Sequence, residues 1–294
     1  MNREASWPLA GFTALSPLTI GGLAGLLMVR GTPGDGVDGA AIALLGIALL
    51  ALLASALHLG RPLRAYRSIA RLSTSWLSRE VILFGIFVLL LVVYALPVLP
   101  GGWGEGRGVL GILATAAGGM SLFATGEVYR LPSRPSWNSW RTVALLALGA
   151  LGAGLPLGAF VGQLGLTGPS GLPTAVTALS AAALLLGVAI TGLRIRRPDP
   201  GQVEEFAAWQ VVVGPCRWLL VLRLAGALCA TGLLFAATPL PIFAWIPAAI
   251  GEMADRTLFF RAVVPVSMAR RAGILPFEPV AVVEGPAPSG REVA

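Results

Sequence analysis

The chain is built from long apolar runs separated by short polar breaks, and each run is close to the roughly 20 residues that a helix needs to cross a bilayer's hydrocarbon. Eight windows have that length: Ala5–Val29, Gly39–Leu57, Val81–Val98, Gly108–Gly126, Thr142–Val161, Leu172–Leu193, Trp218–Thr238 and Pro239–Phe260. The last two meet at Thr238-Pro239-Leu240-Pro241, a proline-marked turn. The pattern predicts an all-α polytopic membrane protein of eight transmembrane helices, arranged as two four-helix bundles in a single domain over residues 1–271. Residues 272–294, rich in proline and small side chains, read as an extended or disordered tail. The apolar run after Glu4 is too long for a signal-peptide core and lacks a following cleavage site, so the first helix is expected to stay.

One interruption differs from the others. The stretch His58–Glu80, HLGRPLRAYRSIARLSTSWLSRE, holds the only histidine of the chain and five arginines. Pro62 is placed to open a short helix, on which Leu63, Tyr66 and Ala70 form an apolar stripe with Arg64, Arg67 and Arg71 beside it. That suits a helix lying in the headgroup layer, its arginines reaching for phosphates. The segment Arg194–Cys216 breaks at two prolines and offers a second interfacial stretch.

Composition fixes the solvent and charge fixes the orientation. Hydrophobic residues are 56% and charged residues 12%, about half the charged share of a soluble chain. All 21 basic residues are arginine. Only Arg30 and Arg107 fall in the odd loops; the rest lie in the even loops, at the termini or beside them. By the positive-inside rule both termini and the 58–80 segment face the cytoplasm of the cell membrane. The basic excess therefore means inner loops, and implies no nucleic-acid partner. Anionic lipid or an acidic protein partner could meet the same surface.

The residues exclude much chemistry. One histidine is too few for a bis-histidine haem. Cys216 and Cys229 stand thirteen residues apart, about 20 Å along a helix, so they read as packing residues. No metal-ligand cluster, P-loop, dinucleotide fingerprint or catalytic triad is present. Redox chemistry would need a diffusible carrier, with no covalently bound cofactor and no haem.

His58 closes the second helix just before the Leu59-Gly60-Arg61-Pro62 break. It can serve as a helix-end cap or as a proton acceptor for a quinol hydroxyl, since imidazole titrates near the pH of the cytoplasm. Arg61 beside it would stabilise an anionic quinone species. Glu80, Glu127, Tyr129 and Trp7 fall at the same depth on the same side and could complete one pocket, with a carboxylate as the proton exit. The competing reading of Glu80 and Glu127 is pairing with Arg79 and Arg130. Glu252 and Arg256, four apart, read as a structural pair, and Arg223 and Gln163 as helix–helix contacts.

The residues Trp7-Pro8-Leu9, His58-Leu59-Gly60-Arg61-Pro62 with Arg64-Ala65, and Leu77-Ser78-Arg79-Glu80 resemble the membrane anchor subunit of the dimethyl sulfoxide reductase family. Weaker likenesses are Val128-Tyr129 with Trp137–Trp140, and Glu252–Arg256 followed by Phe259-Phe260. The resemblance implies an anchor without haem that oxidises menaquinol for anaerobic respiration. It also implies a ferredoxin-like iron–sulfur partner subunit and, through it, a molybdopterin catalytic subunit. On this reading His58 and Glu80 carry the proton chemistry and His58, Arg61, Glu80, Glu127, Tyr129 and Trp7 line the quinol site. The partner docks on Arg64, Arg67, Arg71 and Arg134. The alternatives are a purely structural anchor and a small-solute transporter. Transporters usually place broken helices and polar groups at the midplane, whereas these polar groups gather at one face.

Overall fold

The computed structural model describes residues 7–30, 38–57, 59, 62–96, 106–164, 172–199, 202–236 and 242–264, the side chains of 62–65 apart. His58 and Arg61, the Thr238–Pro241 turn and the 272–294 tail lie outside the described residues, as does the side chain of Arg64. Among the described residues ten α-helices follow in order: α1 Trp7–Arg30, α2 Gly39–Leu57, α3 Trp76–Ala95, α4 Gly106–Tyr129, α5 Trp140–Gly149, α6 Leu155–Gln163, α7 Thr174–Arg194, α8 Val203–Val213, α9 Arg217–Phe235 and α10 Ile242–Arg261. A 3-10 helix, Pro62–Arg71, lies between α2 and α3, and a π-helical turn, Ala150–Gly154, joins α5 to α6.

Among the described residues seven stretches are long and apolar enough to cross a bilayer: α1, α2, α3, α4, the continuous Trp140–Gln163 stretch, α7 and α9. The eighth expected window does form a helix, the 20-residue α10. It stands outside the seven because Glu252, Asp255, Arg256 and Arg261 break its apolar run. Large apolar side chains point outward all along these helices, among them Leu50, Leu53, Leu89, Ile112, Leu113, Leu186 and Leu228. An outward face this apolar is matched to lipid tails, which offer no hydrogen bonds. The chain is a multi-pass membrane protein.

The helices of the first half, α1 to α4, pack on one another, as do α5 to α7 with α9 and α10. The two groups are not separate, because α1 packs against α2 and α4 on one side and α6, the π turn and α10 on the other. One hydrophobic core accordingly draws residues from both halves, from Leu23 and Phe87 to Leu184 and Ala227. Small residues make the junction possible. A Cβ on Gly21 would collide with the Ala150 carbonyl, one on Gly25 with that of Leu155, and one on Gly158 with that of Gly22. Close backbone approach of this kind supplies the dispersion contacts that hold helices together in lipid.

The single helix expected over Thr142–Val161 is interrupted instead by the π turn. Pro156 has no N–H to donate to Gly152 and its ring crowds that carbonyl, so the ladder is re-registered just before it. The extra turn lets Ser180 on α7 donate to the Leu151 carbonyl at 3.2 Å. Along α1, Thr13, Ser16 and Thr19 each return their hydroxyl to a carbonyl one turn back, which hides polar groups that lipid cannot satisfy.

Candidate functional site

Helix α3 begins five residues before the apolar window because Ser75 caps it, accepting from the Ser78 amide at 3.4 Å. This early start moves Glu80 from the expected helix end into the second turn, where it is buried at 6% exposure. Across the interface, Thr125 of α4 donates to the Glu80 carboxylate at 2.8 Å. Glu80 does not pair with Arg79. The Arg79 guanidinium instead donates to the carbonyls of Leu72 at 3.0 Å and Ser73 at 2.7 Å, and lies 4.3 Å over the Trp76 ring. Glu127 takes the structural alternative, with Arg130 donating to it at 2.6 Å.

The arginine-rich segment is tied to the same helix. Ser78 donates its hydroxyl to the Ser68 carbonyl, so the 3-10 helix is fastened to α3 two residues before Glu80. In a 3-10 helix, residues three apart share an edge. Tyr66 and Ile69, with Leu72 just beyond, are exposed, while Ser68 is turned toward α3. Arg67 and Arg71 are also exposed. The expected short helix opening at Pro62 is present, but as a 3-10 helix its apolar edge runs through Tyr66 and Ile69 where an α-helix would have put Ala70. Leu57 ends α2 immediately before His58, and α2 packs against α3.

Tyr129 closes α4 inside a ring cluster that sequence spacing did not reveal. Its ring meets Trp137, Phe259 and Phe260 edge-on with centroids 5.4–5.5 Å away. Trp137 stacks on Phe259 at 4.9 Å and donates its indole N–H to the Phe259 carbonyl at 2.9 Å. Arg134 covers the Trp137 ring at 4.7 Å. Tyr129 lies within electrostatic reach of both Glu80 and Arg256, so the cluster stands between the two halves of the protein. Trp7 opens α1 with 60% of its surface exposed and takes no part in the cluster's ring contacts.

Beyond Tyr129 lies a buried ion network. Arg256 donates to Glu252 through Nε at 2.8 Å and to the Leu145 carbonyl at 2.8 Å. Arg223 of α9 donates to the other Glu252 oxygen at 3.2 Å, and Arg194 of α7 to Asp255 at 3.1 Å. The Glu252–Arg256 pair foreseen from spacing is there. Arg223 makes the helix–helix contact read from the sequence, through its ion pair from α9 to Glu252 of α10. Gly149 and Gly187 give the charges room, since a Cβ on either would press into Glu252 or Arg223. Cys216 is buried as expected, whereas Cys229 faces outward on α9. Arg30 at the end of α1 and Arg107 at the start of α4 are tied down within the fold: Arg30 pairs with Asp38 at 3.2 Å and Arg107 donates to the Tyr94 carbonyl at 2.8 Å.

The protein thus combines outward apolar faces with an arginine-rich turn fixed beside a buried carboxylate. The family model described as DMSO reductase anchor subunit (DmsC) matches residues 4–196. The chain belongs to this family. A relative within it is the C subunit of the anaerobic dimethyl sulfoxide reductase of Haemophilus influenzae, 35% identical over 98 residues. That match covers 33% of this chain and 34% of the relative, so the chain spans about a third of the relative's length. No solved structure matches this DmsC-family protein. The family model spans Glu80, Thr125, Tyr129 and the 3-10 helix, and ends before Arg223 and α10.

Proposed function

We propose that the protein is the quinol-oxidising anchor of a molybdopterin oxidoreductase complex. It takes menaquinol from the bilayer and passes two electrons to a docked ferredoxin-like iron–sulfur subunit, and through that to a molybdopterin catalytic subunit. Oxidation of a quinol to a quinone releases two protons with those electrons. His58 accepts one from the hydroxyl at the membrane face, and Glu80 receives the other. Arg61 steadies the anionic quinone oxygen, and Tyr129, Glu127 and Trp7 border the path of the head group. Arg64, Arg67, Arg71 and Arg134 offer the partner a cationic face. α10 is an eighth crossing, and both termini lie in the cytoplasm.

The observation that carries this reading is Glu80. Its ionisable side chain is buried at the edge of the apolar layer, bonded to the Thr125 hydroxyl, on the helix to which the arginine-rich turn is fastened. Carboxylates in such surroundings are costly and mark proton or substrate paths. Membership of the anchor family supports the same conclusion. The test is binding of a fluorescent quinone analogue to the purified complex. Saturable quenching in the native protein, lost in Glu80→Ala, is expected. Equal binding in both, or none in either, removes the site.

A further inference from the structure

Away from Glu80, a cavity of about 280 Å³ opens where α7 and α10 end, bounded by the first turn of α5 and one side of α8. Four arginines line it, Arg141, Arg194, Arg196 and Arg197, against one carboxylate, Glu205. Arg194 is neutralised by Asp255 and Arg197 rests 5.5 Å over the Phe206 ring. Among the described residues Arg141 and Arg196 have neither an ion pair nor a hydrogen bond. Arg141 is half-buried and within electrostatic reach of Arg194. Two guanidinium groups facing one small cavity repel each other unless an anion lies between them.

We infer that this cavity binds the phosphate headgroup of an anionic phospholipid. Guanidinium groups suit phosphate oxygens because their planar N–H fork can bind two at once. The surroundings select a lipid over a free anion. Leu193, which lines the cavity, and Ile195 beside it are exposed, offering an apolar sill for acyl chains. Trp209, in the cavity wall, and Trp140, exposed at the start of α5, stand at the level where aromatic residues mark the edge of the hydrocarbon. Trp209 is held in place by donating to the Ile195 carbonyl at 2.9 Å. Basic pockets among the ends of membrane helices are suited to acidic lipid headgroups. Glu205 accepts from a headgroup hydroxyl, which favours a glycerol headgroup over a bare phosphate. The inner wall is Trp137 and Phe259, the rings against which Tyr129 packs, so an occupied cavity braces the cluster between the two halves. Lipid binding here is independent of quinol binding near Glu80.

The experiment is thermal unfolding of the full chain in nanodiscs of phosphatidylcholine, alone or with a fifth of the lipid replaced by phosphatidylglycerol, alongside native mass spectrometry of retained lipid. Phosphatidylglycerol should raise the midpoint of the wild-type protein and of Arg217→Gln, an exposed arginine away from the cavity. The rise should be lost in Arg141→Gln, with affinity for the lipid roughly five-fold weaker per arginine removed. Arg196→Gln/Arg197→Gln, which alters only exposed side chains, guards against a folding defect and should show the same loss. An equal rise in these variants, or a rise reproduced by inorganic phosphate in pure phosphatidylcholine discs, overturns the assignment.

Discussion

Glu80 and Thr125 form the smallest unit on which function can be tested. A hydrogen bond to an ionised group is worth roughly 1.5–3 kcal/mol, so Thr125→Val should slow quinol-dependent turnover by roughly ten- to hundred-fold while leaving the complex assembled, as measured by steady-state assay and gel filtration. Glu80→Gln keeps the shape but cannot take a proton, and should lower the same rate by at least about 100-fold, the usual worth of a positioned acid or base. Unchanged turnover in Glu80→Gln would remove the carboxylate from the proton path. Glu80 was legible from the chain as a charged residue at a helix start, but its burial was not. The Ser75 cap is a local signal that lengthens the helix past its apolar run, but the partner 45 residues away on α4 leaves no local trace. Glu127 shows the converse: its arginine is three residues on, and the expected pairing is what forms.

At the scale of elements, the ion network and the glycine seam decide how the two halves meet. Removing one member of a buried pair strands its partners' charges, at about 3–5 kcal/mol. Glu252→Gln should therefore lower the unfolding midpoint markedly, because Arg223 and Arg256 both rely on that carboxylate. An unaltered midpoint would mean that water or lipid already neutralises them. Gly25→Ala should also destabilise, since its Cβ would meet the Leu155 backbone, whereas Gly46→Ala, with nothing within 4 Å, should not. Apolar run length revealed nearly every helix. It could not reveal that Pro156 would force a π turn, or that Arg194 and Asp255, 61 residues apart, would pair. Hydropathy alone leaves out α10, whose Glu252, Asp255 and Arg256 are buried and paired within the protein while Arg261 is exposed.

For the whole molecule, the arginine distribution favours a quinol site, partner and proton release on one side of the membrane. Turnover should then be non-electrogenic: a potential-sensitive dye in proteoliposomes should record no sustained signal during quinol-driven reduction. A clear potential would put the proton release and the partner on opposite faces. The central claim is that reduced quinone delivers its electrons beside His58. The most direct measurement compares His58→Ala with the native complex, using a quinol donor and then a soluble artificial donor that reaches the catalytic subunit without the anchor. Quinol-dependent reduction should vanish while activity with the artificial donor persists. Quinol-dependent reduction at the native rate in the variant would contradict the claim.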